Sequence, residues 1–193
     1  AALQALPDAP PAGGVAVAAL FDHEEVGSES HRGAAGSFLE DVLERVSDAL
    51  DLDREGHRQA LARSWLVSAD MAHAHHPNFA NYHDAQHPVR VNGGPELKIN
   101  AAQRYATDDR GEAYFARLCE DAGVPMQRYI HRNDLPCGAT IGPLLAARLG
   151  LRTMDVGSAM WAMHSARESA GARDPAMLMR VLAGFYMGQI PSG

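Results

Sequence analysis

The chain has 193 residues, 46% of them apolar and 21% charged, which suits a globular domain with a sizeable core and excludes disordered and collagen-like classes. Its net charge is -7 at pH 7 and it has no Lys/Arg cluster, which argues against nucleic acid or a membrane surface as partner and for small molecules, peptides or copies of itself. No apolar run is long enough to span a bilayer and no secretory segment opens the chain, so the expected setting is the cytoplasm.

The first residues, Ala1 to Leu6, resemble the end of a helix running into a Pro/Gly loop over 7–14, and the chain lacks an initiator Met. It is therefore expected to be the later part of a longer polypeptide. The apolar run 15–22 predicts a buried strand, and Phe38, Leu39, Val42, Leu43, Val46 and Leu50 give helical spacing within 30–50. Residues 64–69 predict a second strand ending at Asp70, followed by a His-rich, Pro-containing loop over 71–93 and a short strand over 96–100. A helix over 111–123 stops at Gly123, and 126–131 predicts a strand. Thr140 is expected to cap a helix ending at Gly150, 153–157 a further strand, and Asp174-Pro175 the start of a final helix. Strands alternating with helices predict an α/β layered domain with a largely parallel sheet.

In open α/β sheets ligands bind outside the carboxyl ends of strands, and here those ends carry chemistry. The first strand runs into Asp22-His23-Glu24-Glu25, the second into Asp70 and His73, and the last is followed by His164. Carboxylates and imidazoles arriving from three strand ends suit a borderline cation such as zinc, which would also neutralise an acidic cluster otherwise costly to bury. Of two adjacent glutamates, one can bind a metal while its neighbour accepts a proton from metal-bound water. Simpler readings stand beside this one: helix-dipole caps for Asp22 to Glu25, a turn residue for Asp70 and a satisfied histidine for His164. The histidines at 73, 75, 76, 83 and 87 mix several periods around Pro77 and Pro88, as in a loop with incidental histidines. Cys119 and Cys137 form no C-x-x-C pair and are expected as buried free thiols. GSES (27–30) lacks the G-x-S-x-G pattern of a serine nucleophile.

The segments FDHEEVGSES, SADMAHAHHPN, KINAAQRYA, RNDLPCGATIGPLLAARLGLRTMDVGS and AMHSARE, in this order, resemble the aspartyl aminopeptidase family of co-catalytic zinc exopeptidases. The resemblance implies a three-layer α/β/α metallopeptidase domain with a mostly parallel or mixed sheet, of which this chain is an incomplete portion. It implies two zinc ions and removal of N-terminal Asp or Glu from peptides. By motif, Glu24 is then the general base, Glu25, Asp70 and His164 are zinc ligands, Lys98 pairs with the acidic substrate side chain, and Tyr105 lies at the catalytic centre. His76 matches a histidine with a structural role.

The family pattern also contains an upstream zinc-binding His, an Asp bridging both metals and a dimerisation domain that helps build a homo-dodecamer. None has a counterpart here, so residues 1–193 are expected to be the C-terminal part of the catalytic domain, binding metal weakly and inactive alone. Two alternatives remain: a related metallo-peptidase or deacylase of other specificity, and a non-catalytic assembly module of the same fold.

Overall fold

A computed structural model describes residues 1–6 and 13–188. Most of the expected Pro/Gly loop lies outside the described residues. The helices are α1 (Ala2–Ala5), α2 (Phe38–Ala49), α3 (Arg54–Arg63), α4 (Asp109–Asp121), α5 (Ile141–Leu149) and α6 (Asp174–Tyr186). The strands are β1 (Trp65–Ala69), β2 (Ala72–His73), β3 (Glu96–Ile99), β4 (Gln127–Ile130), β5 (Arg152–Gly157), β6 (Ala159–Trp161) and β7 (Ser169–Ala170). None of the described helices is long and apolar enough to cross a membrane.

The central sheet has the order β1-β5-β3-β4. β1 runs parallel to β5 and β3 parallel to β4, but β3 is antiparallel to β5, so the sheet is mixed, as expected, with two parallel pairs meeting at a reversed junction. A small sheet, β2-β6-β7, follows the end of β1.

Strand alternation sorts side chains onto two faces. Trp65, Val67, Leu97, Ile99, Met154 and Val156 line one, packed against Tyr114, Phe115, Leu118 and Cys119 of α4 and Val181 of α6. Leu66 points to the opposite face, where Leu39 of α2 and Leu145 and Leu149 of α5 cover it. The result is the expected three-layer arrangement. On that second face the strands also carry Ser68, Glu96, Lys98 and Asp155, all buried.

The clearest departure from the sequence expectation is 15–22. These residues join no described sheet, and Val15, Val17 and Leu20 are 56%, 39% and 68% exposed. An apolar run becomes a buried strand only where a neighbour supplies the ladder, and among the described residues none does. Phe21 alone reaches the core beside α2 and α5. The expected helix from residue 30 starts at Phe38, because turns at Gly33 and Gly36 press against the backbone of Ser28 and His31, where a Cβ would lie 2.1 and 2.8 Å from carbonyl oxygens. Gly123 and Gly150 end α4 and α5 in the left-handed region as expected. Thr140 precedes α5 without a capping bond; its hydroxyl donates to Asp155 at 2.5 Å instead. Cys119 is a buried free thiol as expected, whereas Cys137 is only half-buried.

Phe115 has no exposed surface and belongs to the largest apolar cluster. Phe115→Ala is expected to cost about 3–5 kcal/mol, read as a lower urea midpoint at an unchanged m-value.

Candidate metal centre

Asp22 to Gly27 leave the extended segment through one turn of 3-10 helix, Glu24–Val26. His23 (φ 62°) and Gly27 (φ 103°) bracket it in the left-handed region, and the Ser28 amide donates to the His23 carbonyl at 2.8 Å. The tight loop half-buries Glu24 and leaves Glu25 exposed. His164 sits in a second tight turn, with Ala162 (φ 57°) and His164 (φ 67°) both left-handed and the His164 amide donating to Glu168 at 2.7 Å. That turn brings His164 Nε2 to 2.9 Å from Glu25 Oε2.

Asp70 follows β1, its amide held by the Val156 carbonyl at 3.0 Å and its Oδ1 accepting from the Met71 amide at 2.7 Å. Its other oxygen is 3.5 Å from Lys98 Nζ, which also donates to the Met71 carbonyl at 2.8 Å. Lys98 is almost wholly enclosed, with only 2% of its side chain exposed. Its ammonium lies 5.7 Å from the centre of the Tyr105 ring. Tyr105 is itself buried, and burial and the neighbouring Cys137 thiol keep its phenol protonated. The turn carrying it is fixed by Asp155, whose Oδ2 accepts from the Ala106 amide at 2.6 Å.

The field around Glu24 shows how closely these groups converge. Its pKa is raised by burial, then by repulsion from Asp70 and Glu25, against opposing pulls from Lys98 and His164. A half-buried carboxyl poised toward neutrality is suited to accept a proton. His73 is pushed the other way, first by burial and then by the positive neighbours His164, His131 and Lys98. All six residues singled out from the sequence, Glu24, Glu25, Asp70, Lys98, Tyr105 and His164, thus fall in one region. Further along the His-rich stretch, residues 77–82 form a kinked 3-10 turn, and His76 caps it by accepting from the Asn78 amide at 3.2 Å.

The donors fit zinc in kind. Two ligands of one tetrahedral ion, each at about 2.0–2.1 Å, lie roughly 3.3 Å apart, near the Glu25–His164 separation. They fall short in number, because among the described residues no group of three or more His, Cys, Asp or Glu side chains could hold an ion.

Glu96 escaped the sequence reading. It is fully buried on the face shared with Lys98, and neither carboxyl oxygen has a hydrogen-bond partner. The signal available was its place two residues before Lys98, since strand alternation puts both on one face.

Acidic and imidazole side chains at the loop ends of an α/β/α layer, beside one enclosed cation, define a candidate metallohydrolase centre. Over residues 1–186 the sequence matches the family described as Aminopeptidase I zinc metalloprotease (M18), and the chain belongs to that family. It is 54% identical over 183 residues to the probable M18 family aminopeptidase 2 of Mycobacterium tuberculosis, a match covering 95% of this chain and 42% of that protein. Its fold is similar to a chain in the cryo-EM structure of the Ape4 and Nbr1 complex (TM-score 0.81, 42% identity), covering 86% of this chain and 32% of that one. It is also similar to the S. cerevisiae mApe1 dodecamer structure (TM-score 0.77, 33% identity), covering 88% and 37% respectively. The chain therefore spans less than half the length of the relatives it matches.

Burial pushes the Glu96 carboxyl up to about 8 from its ordinary 4.5, against the opposing pull of Lys98. The native state keeps a proton that the unfolded chain releases, so stability is expected to fall as pH rises from about 4.5 to about 8 and then to level off. Glu96→Gln should flatten this fall, seen as a smaller drop in the urea midpoint across the same range than in the parent protein.

Proposed function

We propose that residues 1–193 are the C-terminal part of the catalytic domain of a zinc aminopeptidase that releases N-terminal Asp or Glu from peptides. The observation that carries this reading is the meeting of Glu24, Glu25, Asp70 and His164 beside the enclosed Lys98, in a chain of the M18 family.

Glu25 and His164 would hold one zinc ion and Asp70 a second, with the remaining ligands supplied by residues outside this chain. When bound, the two ions supply Lewis-acid activation of water and of the scissile carbonyl. Glu24 takes the proton of the attacking water; its raised pKa and its place beside Glu25 support that role. Lys98 pairs with the substrate's acidic side chain: its position is fixed by the Met71 carbonyl, and a single ammonium matches a single carboxylate. Tyr105, kept protonated by burial, donates its O–H where negative charge develops. The complete protein would work as a homo-oligomer, a dodecamer as in the similar S. cerevisiae assembly, in the cytoplasm.

Three outcomes test this reading. In the complete protein Glu24→Gln should lower kcat by about 10²–10⁴ with zinc content unchanged. Lys98→Leu should abolish the preference for acidic over neutral N-terminal residues, measured as the ratio of kcat/KM values. The 193-residue polypeptide alone should retain less than one zinc and release no Asp; release abolished by Glu24→Gln would show its own ligands to be sufficient.

A further inference from the structure

The reversed junction between β5 and β3 gives the central sheet carboxyl ends on opposite sides. Asp70 follows β1 at one side, whereas Asn100 and the 132–137 loop follow the parallel pair β3 and β4 at the other. Between those two loops lies an open depression of about 400 Å³, lined by Asn100, Ala101, Ala102, Arg104, Arg132, Asn133, Leu135 and Cys137. It has two arginines and no acidic side chain, in a chain whose net charge is -7.

The donors are differently occupied. The Arg132 guanidinium is held by Asp134 at 2.5 and 2.9 Å and also donates to the Asn81 carbonyl. The Arg104 guanidinium donates only through Nε, to the Cys137 carbonyl at 3.2 Å, and meets no carboxylate among the described residues. Its two terminal nitrogens remain as a planar fork. Asn100 is 6% exposed; its Oδ1 accepts from the Ala102 amide at 2.9 Å and the Arg104 amide at 3.4 Å, fixing the turn. Its side-chain NH2 has no hydrogen-bond partner among the described residues, and Asn100 lines the depression. Donors without acceptors, an arginine fork tethered through its Nε and room for more than one functional group point to an oxyanion borne on an organic chain.

We propose that this depression is a second binding site for a peptide carboxylate, engaged by Arg104 and Asn100 and taking the downstream, C-terminal part of a peptide chain. The identity of that ligand rests on the peptidase reading. Arg104 is followed directly by Tyr105, which faces Lys98, and Cys137 stands beside Tyr105, so the depression adjoins the candidate centre.

Calorimetric titration of the complete protein with acetyl-dialanine and with its C-terminal amide tests this. The blocked amino end makes both inert to an aminopeptidase, so the result does not depend on whether Asp or Glu is released, and failure of this proposal is distinguishable from failure of that reading. The free acid should bind at least about tenfold more tightly than the amide in the parent protein. The two should come within about twofold of each other in Arg104→Gln, with part of the difference kept in Arg104→Lys, which retains a charge without the fork. Equal binding of acid and amide by the parent, or undiminished discrimination in Arg104→Gln, overturns the proposal. Inorganic phosphate binding as tightly as the free acid would mark a general anion site and overturn the peptide assignment.

Discussion

Asp155 has no exposed surface, and two separated segments hang on it. One carboxylate oxygen takes the Thr140 hydroxyl at the entrance to α5, the other takes the Ala106 amide beside Tyr105, and its own amide donates to Thr107. Gly142 makes room for this arrangement, because a Cβ there would lie 2.4 Å from both oxygens. A buried carboxylate is tolerated only when its lone pairs are filled, and here filling them orders the loop that carries Tyr105. The site is therefore anchored from within the sheet.

The second anchor is the enclosed Lys98 ammonium. Asp70 lies 3.5 Å from this cation and Glu24 feels its pull, while Glu25, next to Glu24, pairs with His164. Burial first, and then repulsion from Asp70 and Glu25, drives Glu24 toward its neutral form, while Glu25 settles against His164.

How much of this was legible depended on whether the signal was local. The helices 109–121 and 174–186 and the strands β1, β3, β4 and β5 follow from spacing, because one face of each meets an apolar layer. α3 leaves little periodicity in the sequence, since only His57 and Leu61 of Arg54–Arg63 are buried; its cue is Asp53, which caps it by accepting from the Gly56 amide at 2.7 Å. β2, β6 and β7 have two or three residues each and leave no periodicity to find. The run 15–22 has the composition of a strand, yet strand formation is a property of pairs. Lys98 and Tyr105 came from the family motifs alone, whereas Glu24, Glu25, Asp70 and His164 were readable as chemical types after apolar runs and became specific through those motifs. The burial of Glu96 was not, because Glu-Leu-Lys-Ile looks like a strand with one wet face, and only the tertiary structure covers that face.

The reversed junction in the central sheet also sets a length scale. β3 has four residues, so its two ends stand about 13 Å apart, the reach of roughly four residues of extended chain. The loops that carry Asp70 and Asn100 at the two rims are therefore held apart by the length of the strand between them.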